Sequence, residues 1–213
     1  MTSVSSAGAT RVPPVGLWLT RAMMPDVDAW AAKSVVPVLV HRLGLHTALV
    51  PRGRSVVGAP YDDATMMCAA RPAPVKLSPA MGFWVIDDRA VITVQSKQWR
   101  RQIRWVIWDP QVGMMRPPGV DIASPQQILS VARGGRRDEL IDMLAERHHP
   151  PQRLLSAVVN LLGLPGAEVL LDAGVTESWE GAHAHEPDER EVDFFEDAVK
   201  DAVALRRELG WGE

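Results

Sequence analysis

The sequence predicts an α+β protein, with a mainly antiparallel sheet over about residues 35–110, a three-helix cluster over about 124–172, and a C-terminal amphipathic helix. Three observations carry that prediction. Short β-branched and aromatic runs fill the first half, the apolar period lengthens from two to about 3.6 after Gly119, and Gly or Pro separates the helical stretches that follow. With 213 residues, 46% of them apolar, the chain can build one core of ordinary size plus an appendage. The expected organisation is a flexible arm at 1–14, an α+β domain at 15–174, a linker at 175–187 and a helix at 188–210.

Residues 1–14 are small and polar and end in Pro13-Pro14, which predicts the arm. Leu17, Trp18, Met23, Met24, Val27 and Trp30 read as a packed opening segment interrupted by Pro25, with Asp26 placed to cap a short helix through Ala32. Val35–Leu45 reads as a strand that Pro37 pushes to a sheet edge or to a start at Val38. His46–Pro51 is a second, shorter strand. Val56 and Val57 begin another, ended by Gly58-Ala59-Pro60, and Asp62-Asp63 opens a helical turn carrying Met66, Met67 and Ala69. The prolines between 60 and 79 forbid a long regular element there.

The stretch from Gly82 to Pro110 is the centre of the reading. Phe83–Ile86 and Ala90–Val94 are joined by Asp87-Asp88-Arg89, a polar turn of hairpin length, and their near-continuous apolar runs predict burial on both faces. Ile103–Trp108 supplies a third strand. Further on, Ser124 caps and Pro125 opens a helix that Gly134-Gly135 stops. Arg136–His148 is the second helix, and after Pro150-Pro151 a third carries Leu154, Leu155, Val158, Val159, Leu161 and Leu162. Pro165–Leu171 adds a short fourth. Thr176–Pro187 reads as the linker, and Asp188–Leu209 as a helix whose Val192, Phe195, Ala198, Val199, Ala202, Leu205 and Leu209 make one stripe. Glu196 and Lys200 form an i,i+4 pair on it, and an apolar partner is required because isolated helices of this length are marginal in water.

Charge is unevenly spread. Residues 1–174 carry 19 Lys and Arg against 14 Asp and Glu, while 175–213 carry 4 against 12. A basic surface for an anionic partner is the sharper reading, with the acidic tail lying over it. The plainer one is a solvated face. Arginine outnumbers lysine 19 to 4, a bias typical of GC-rich bacterial genomes. No run approaches the roughly 18 apolar residues of a membrane span, and the N-terminus lacks a secretory pattern, so a bacterial cytoplasmic protein without membrane contact is expected. Cys68, beside Met66, Met67 and Ala69, reads as a buried small hydrophobe, and a single cysteine excludes an internal disulfide.

Four constellations bear on chemistry. Asp87 and Asp88 precede Gln95-Ser96-Lys97 by one strand. In metal-dependent phosphodiesterases an acid on one strand and an acid or glutamine two positions before a lysine on the next hold Mg²⁺ and orient water. Over about 13 of the 213 residues the pattern resembles the Gln-x-Lys variant of PD-(D/E)xK restriction-type nucleases. That resemblance implies catalysis by Asp87, Asp88, Gln95 and Lys97 with Mg²⁺ as cofactor. Alternation places Gln95 and Lys97 on one face. The plainer reading makes the acids a hairpin turn and the Gln and Lys a solvent-facing strand end.

The second constellation is the basic connector of Lys97, Trp99, Arg100, Arg101 and Arg104, where cations suit phosphates and indoles can stack on bases. The third is His183-Ala184-His185-Glu186, the only local cluster of possible metal ligands, read as incidental in a linker; no metal site is expected. The fourth is the three-helix cluster as a helix-turn-helix, which the apolar third helix argues against. Arg52-Gly53-Arg54 lacks the glycine and lysine spacing of a phosphate loop, and neither a Gly-x-Ser-x-Gly elbow nor a Gly-x-Gly-x-x-Gly run occurs. The expected function is therefore a non-catalytic accessory protein that docks on a larger assembly, or self-associates, through its arms and the 188–210 helix. The alternative is a Mg²⁺-dependent nuclease; without it no cofactor is called for.

Overall fold

A computed structural model describes residues 13–99 and 102–209. Of the arm expected over 1–14, only Pro13 and Pro14 fall among them. The elements run β1 (Gly16–Thr20), α1 (Met24–Ala31), β2 (Val38–Leu43), β3 (His46–Pro51), α2 (Ala64–Ala70), β4 (Ala80–Ile86), β5 (Arg89–Gln95), β6 (Arg104–Asp109) and β7 (Gly113–Met115). They continue with α3 (Pro125–Ala132), α4 (Arg137–Ala145), α5 (Pro151–Leu161), β8 (His183–His185) and α6 (Glu189–Glu208). The strands form one antiparallel sheet in the order β7-β6-β5-β4-β1-β3-β2-β8.

The α+β class is as the sequence predicts, and the Gly82–Pro110 stretch supplies the inner strands β4, β5 and β6. Asp87 and Asp88 make the two-residue turn, with φ of 49° and 56°. Two left-handed residues in succession match the twist of a tight hairpin, and short polar aspartates tolerate that conformation better than most side chains. The register then runs unbroken from Ile86↔Arg89 to Ala80↔Gln95.

The largest departure is β1. Five residues, Gly-Leu-Trp-Leu-Thr, sit in the middle of the sheet between β4 and β3, where only a packed opening segment is expected. All five are buried, so no polar alternation marks the strand. Pro25 does not interrupt the next element; it occupies the first turn of α1, where its missing N–H costs nothing. Val56 and Val57 form no strand. Strands β7 and β8, three residues each, were too short to announce themselves. The second helix of the cluster ends at Ala145, and His148 gives its N–H to the Pro110 carbonyl instead.

Both faces of the sheet are covered. Leu17, Leu19, Phe83, Ile92 and Trp108 meet α3, α4 and α5 through Ile128, Leu140, Leu155 and Val158. Trp18, Val40, Leu49, Trp84 and Val91 meet α1, α2 and their connections through Val27, Trp30, Cys68 and Leu77. On that second face the fully buried Trp84 lies across two glycines. Gly16 is its register partner on β1, and Gly82 lies two residues before it on β4. A Cβ on Gly16 would come within 2.5 Å of the indole, and one on Gly82 would strike both the indole and Thr93. The indole N–H donates to Thr93 Oγ1 at 3.0 Å, so the ring is fixed by a bond as well as by shape.

Gly82→Ala is therefore expected to destabilise the fold by about 1–3 kcal/mol or more, as overpacking does. The control is Gly44→Ala, at a turn where a Cβ meets nothing and only the positive φ opposes it. Urea denaturation would give both values, and a Gly82→Ala loss no greater than the control's would refute the packing account.

Candidate functional site

The four residues of the nuclease pattern do not converge. Asp87 and Asp88 are exposed at one end of the β4–β5 hairpin, while Gln95 closes its other end, opposite Ala80. Seven residues of strand separate Asp88 from Gln95, roughly 20 Å or more. Nor does Gln95 face solvent. It is buried, its Oε1 accepts from the Ala73 N–H at 3.0 Å, and its Nε2 donates to the Ala73 carbonyl at 2.6 Å. The side chain thus plays the part of a strand partner for the loop after α2. β5 ends at Gln95, and Lys97 lies exposed in a 3-10 turn spanning Lys97–Trp99, so the alternation expected to put both on one face is broken.

The basic connector is only partly described. Arg100 and Arg101 lie outside the described residues, Lys97 is exposed, and Arg104 is half-buried at the start of β6. Burial pushes the Cys68 thiol up to about 12, which removes it as a nucleophile at neutral pH. Among the described residues no group of three or more His, Cys, Asp or Glu is arranged to hold a metal, and no helix is long and apolar enough to cross a membrane.

The stretch expected to be a linker holds a specific latch. Residues Ala173–Ser178 form a 3-10 turn, and β8 pairs antiparallel with β2, Leu39 opposite Ala184. Two residues apart on a strand, His183 and His185 point the same way. Both reach Asp28 on α1: His183 Nδ1 lies 2.9 Å from one carboxylate oxygen, His185 Nε2 2.9 Å from the other. His41 on β2 stacks on Trp179, with ring centroids 4.9 Å apart. A cluster that composition marked as incidental therefore ties the end of the sheet to α1 and fixes where α6 begins.

Asp188 caps α6, accepting from the Arg190 N–H, and acids fill its first turn. Only the proximal half is seated. Val192 and Phe195 pack on the second core, and Phe195 meets Tyr61 edge-on at 5.3 Å. Lys200 pairs with Asp197 at 2.9 Å rather than with Glu196. A groove of about 730 Å³ opens between α6 and α2, lined by Met66, Tyr61, Phe194 and Ala198. At its base Arg71 stacks over Trp30 at 4.4 Å and donates to the Trp30 carbonyl at 2.7 Å. Burial lowers its pKa to about 10, with Cys68 and Glu191 pulling the other way.

Beyond Lys200 every described residue of α6 is exposed. Phe194, Ala198, Ala202, Leu205 and Leu209 form a continuous row at helical spacing, and Phe194, Leu205 and Leu209 are 73%, 56% and 53% exposed. The sequence stripe includes Ala198, Ala202, Leu205 and Leu209 but not Phe194. It could not say that the body covers only one side of it.

The chain matches no protein-family model, no curated protein and no solved structure. The site has to be read from its own chemistry.

Gln95→Leu should cost about 1–3 kcal/mol, since it strands the Ala73 N–H and carbonyl in the core, whereas exposed Lys97→Ala should be near neutral. Chemical denaturation of the two variants separates a structural Gln95 from a catalytic one; a neutral Gln95→Leu would refute the clamp. Asp28→Ala should speed hydrogen exchange at the backbone of β8 while the β4–β5 amides keep their protection. Unchanged β8 protection would mean that the latch holds nothing.

Proposed function

We propose that this protein is a non-catalytic accessory protein that docks on a protein partner through the bare row of α6. The observation that carries the reading is the division of that helix. Its first turns are held by Tyr61 and the second core through Val192 and Phe195, while the neighbouring apolar row runs on to Leu209 through turns in which every described residue past Lys200 is exposed. Intrinsic propensity contributes little to a helix of this length, so the distal turns gain most of their stability only when the row is covered. An anchored amphipathic helix with exposed Phe and Leu is the form in which helix-in-groove recognition is presented.

The nuclease alternative loses its basis with the dispersal of Asp87, Asp88 and Gln95, and no Mg²⁺ or other cofactor is proposed. A nucleic-acid role through Lys97, Trp99 and Arg104 draws on composition alone, and nothing in the described geometry favours it over protein docking.

Two measurements test the reading. Leu205→Glu should abolish photo-crosslinking from a probe placed at Leu209 to a partner in cells, while the polar-face change Lys200→Glu should leave it intact. Equal crosslinking in both variants would count against docking through the row. Incubation of the purified protein with DNA and RNA plus Mg²⁺ or Mn²⁺ should give no cleavage; cleavage lost in Lys97→Ala would overturn the non-catalytic assignment.

A further inference from the structure

A second apolar surface lies uncovered at the other end of the molecule. Between β7, the start of α3 and α4 there is an open hollow of about 720 Å³. Its apolar lining includes Met114, Leu144, Ile141 and Val112, the last two 36% and 59% exposed. Two arginines, Arg116 and Arg147, stand at it, both exposed and neither ion-paired among the described residues. An apolar floor with unpaired cations on it fits an apolar stripe flanked by acids.

α6 carries such a stripe. Ala198, Ala202, Leu205 and Leu209 follow one another at spacings of four, three and four, and at 100° per residue Asp201 and Glu208 fall together along the edge beside Leu205. Neither acid has an ion-pair partner among the described residues. Arg206 borders the opposite edge. The geometry forbids a meeting within one chain. The hollow is at the β7 edge, on the face covered by α3, α4 and α5, whereas α6 follows β8 at the far edge and packs on the other face.

Resting on the docking role given to α6, we propose that the partner is a second copy of this chain, whose hollow receives the distal turns of α6, with Arg116 and Arg147 facing Asp201 and Glu208. The contact is heterologous, since helix and hollow are different surfaces, and so it propagates into open chains or closes into a ring. It also gives the charge asymmetry of the sequence a use, because the acidic segment of one copy meets a basic part of the next.

The test uses full-length protein and exposed substitutions that leave the core untouched. Sedimentation velocity over a concentration series should show the wild type self-associating, more weakly at high salt. Leu205→Glu, which spoils the helix, and Ile141→Glu, which spoils the hollow, should each weaken self-association at least about tenfold. Mixed together they should form a one-to-one heterodimer and stop there, because one intact helix meets one intact hollow. The double change Arg116→Glu with Arg147→Glu should also weaken assembly. A wild type that stays monomeric overturns the proposal, as does a mixture that fails to pair. Should Ile141→Glu assemble like the wild type while Leu205→Glu does not, α6 still docks and the hollow is the wrong receptor. Should Leu205→Glu assemble like the wild type, docking through α6 fails as well.

Discussion

The fit of Trp84 against Gly16 and Gly82 is the constraint on which the sheet depends. β1 enters the centre of the sheet with no hairpin to a neighbour: its partners β4 and β3 come later in the chain, and its register against β4 must be set by side chains alone. A one-residue slip would turn Leu17 and Leu19 away from the α3–α5 face and drive Trp18 into it. The indole forbids that slip, because only glycine at position 16 leaves room for it and only Thr93 on β5 accepts its N–H. Three strands are thus registered by one residue.

From that centre the structure loosens toward its edges by identifiable steps. Gln95 ties the loop after α2 to β5 through two bonds to Ala73, and Arg71, the first residue after α2, ties the same loop to α1 through Trp30. At the β8 edge the attachment is a three-residue strand plus one carboxylate shared by two imidazoles, and past Lys200 every described residue is exposed. Stability that varies in this way along a chain places motion where burial is least. The surface offered for docking is also the part with least to hold it.

Strands β4, β5 and β6 and the helices after Ser124 were legible in the sequence because each announced itself locally. Asp87-Asp88 between two apolar runs, Ser124-Pro125 ahead of Ile128, and the long stripe from Val192 to Leu209 need no tertiary context to be read. β1 was not legible because, unlike the equally buried β4 and β5, its five residues have no hairpin turn beside them to mark a strand. β8 was hidden for a different cause: a His-Ala-His strand has no β signature, and it exists because Asp28, 155 residues from His183, gives both imidazoles an acceptor. The Gln-x-Lys pattern misled for a related reason. Spacing along a strand states which face a residue is on, but neither which end of a hairpin it occupies nor what it bonds, and Gln95 spends its amide on backbone.

Burial on both faces also decides where function can lie. A sheet packed on one side by α3–α5 and on the other by α1 and α2 leaves its central residues no access to a ligand, and the most chemically suggestive stretch of the sequence becomes scaffold. Two apolar surfaces stay open at the ends of the strand order, the hollow beside β7 and the helix that follows β8. One end is apolar with cations, the other apolar with acids, and neither set is ion-paired among the described residues. A hollow bearing cations and a helix row bearing acids, standing at opposite edges of one sheet, do not meet within one molecule, so a partner that covers either comes from outside it.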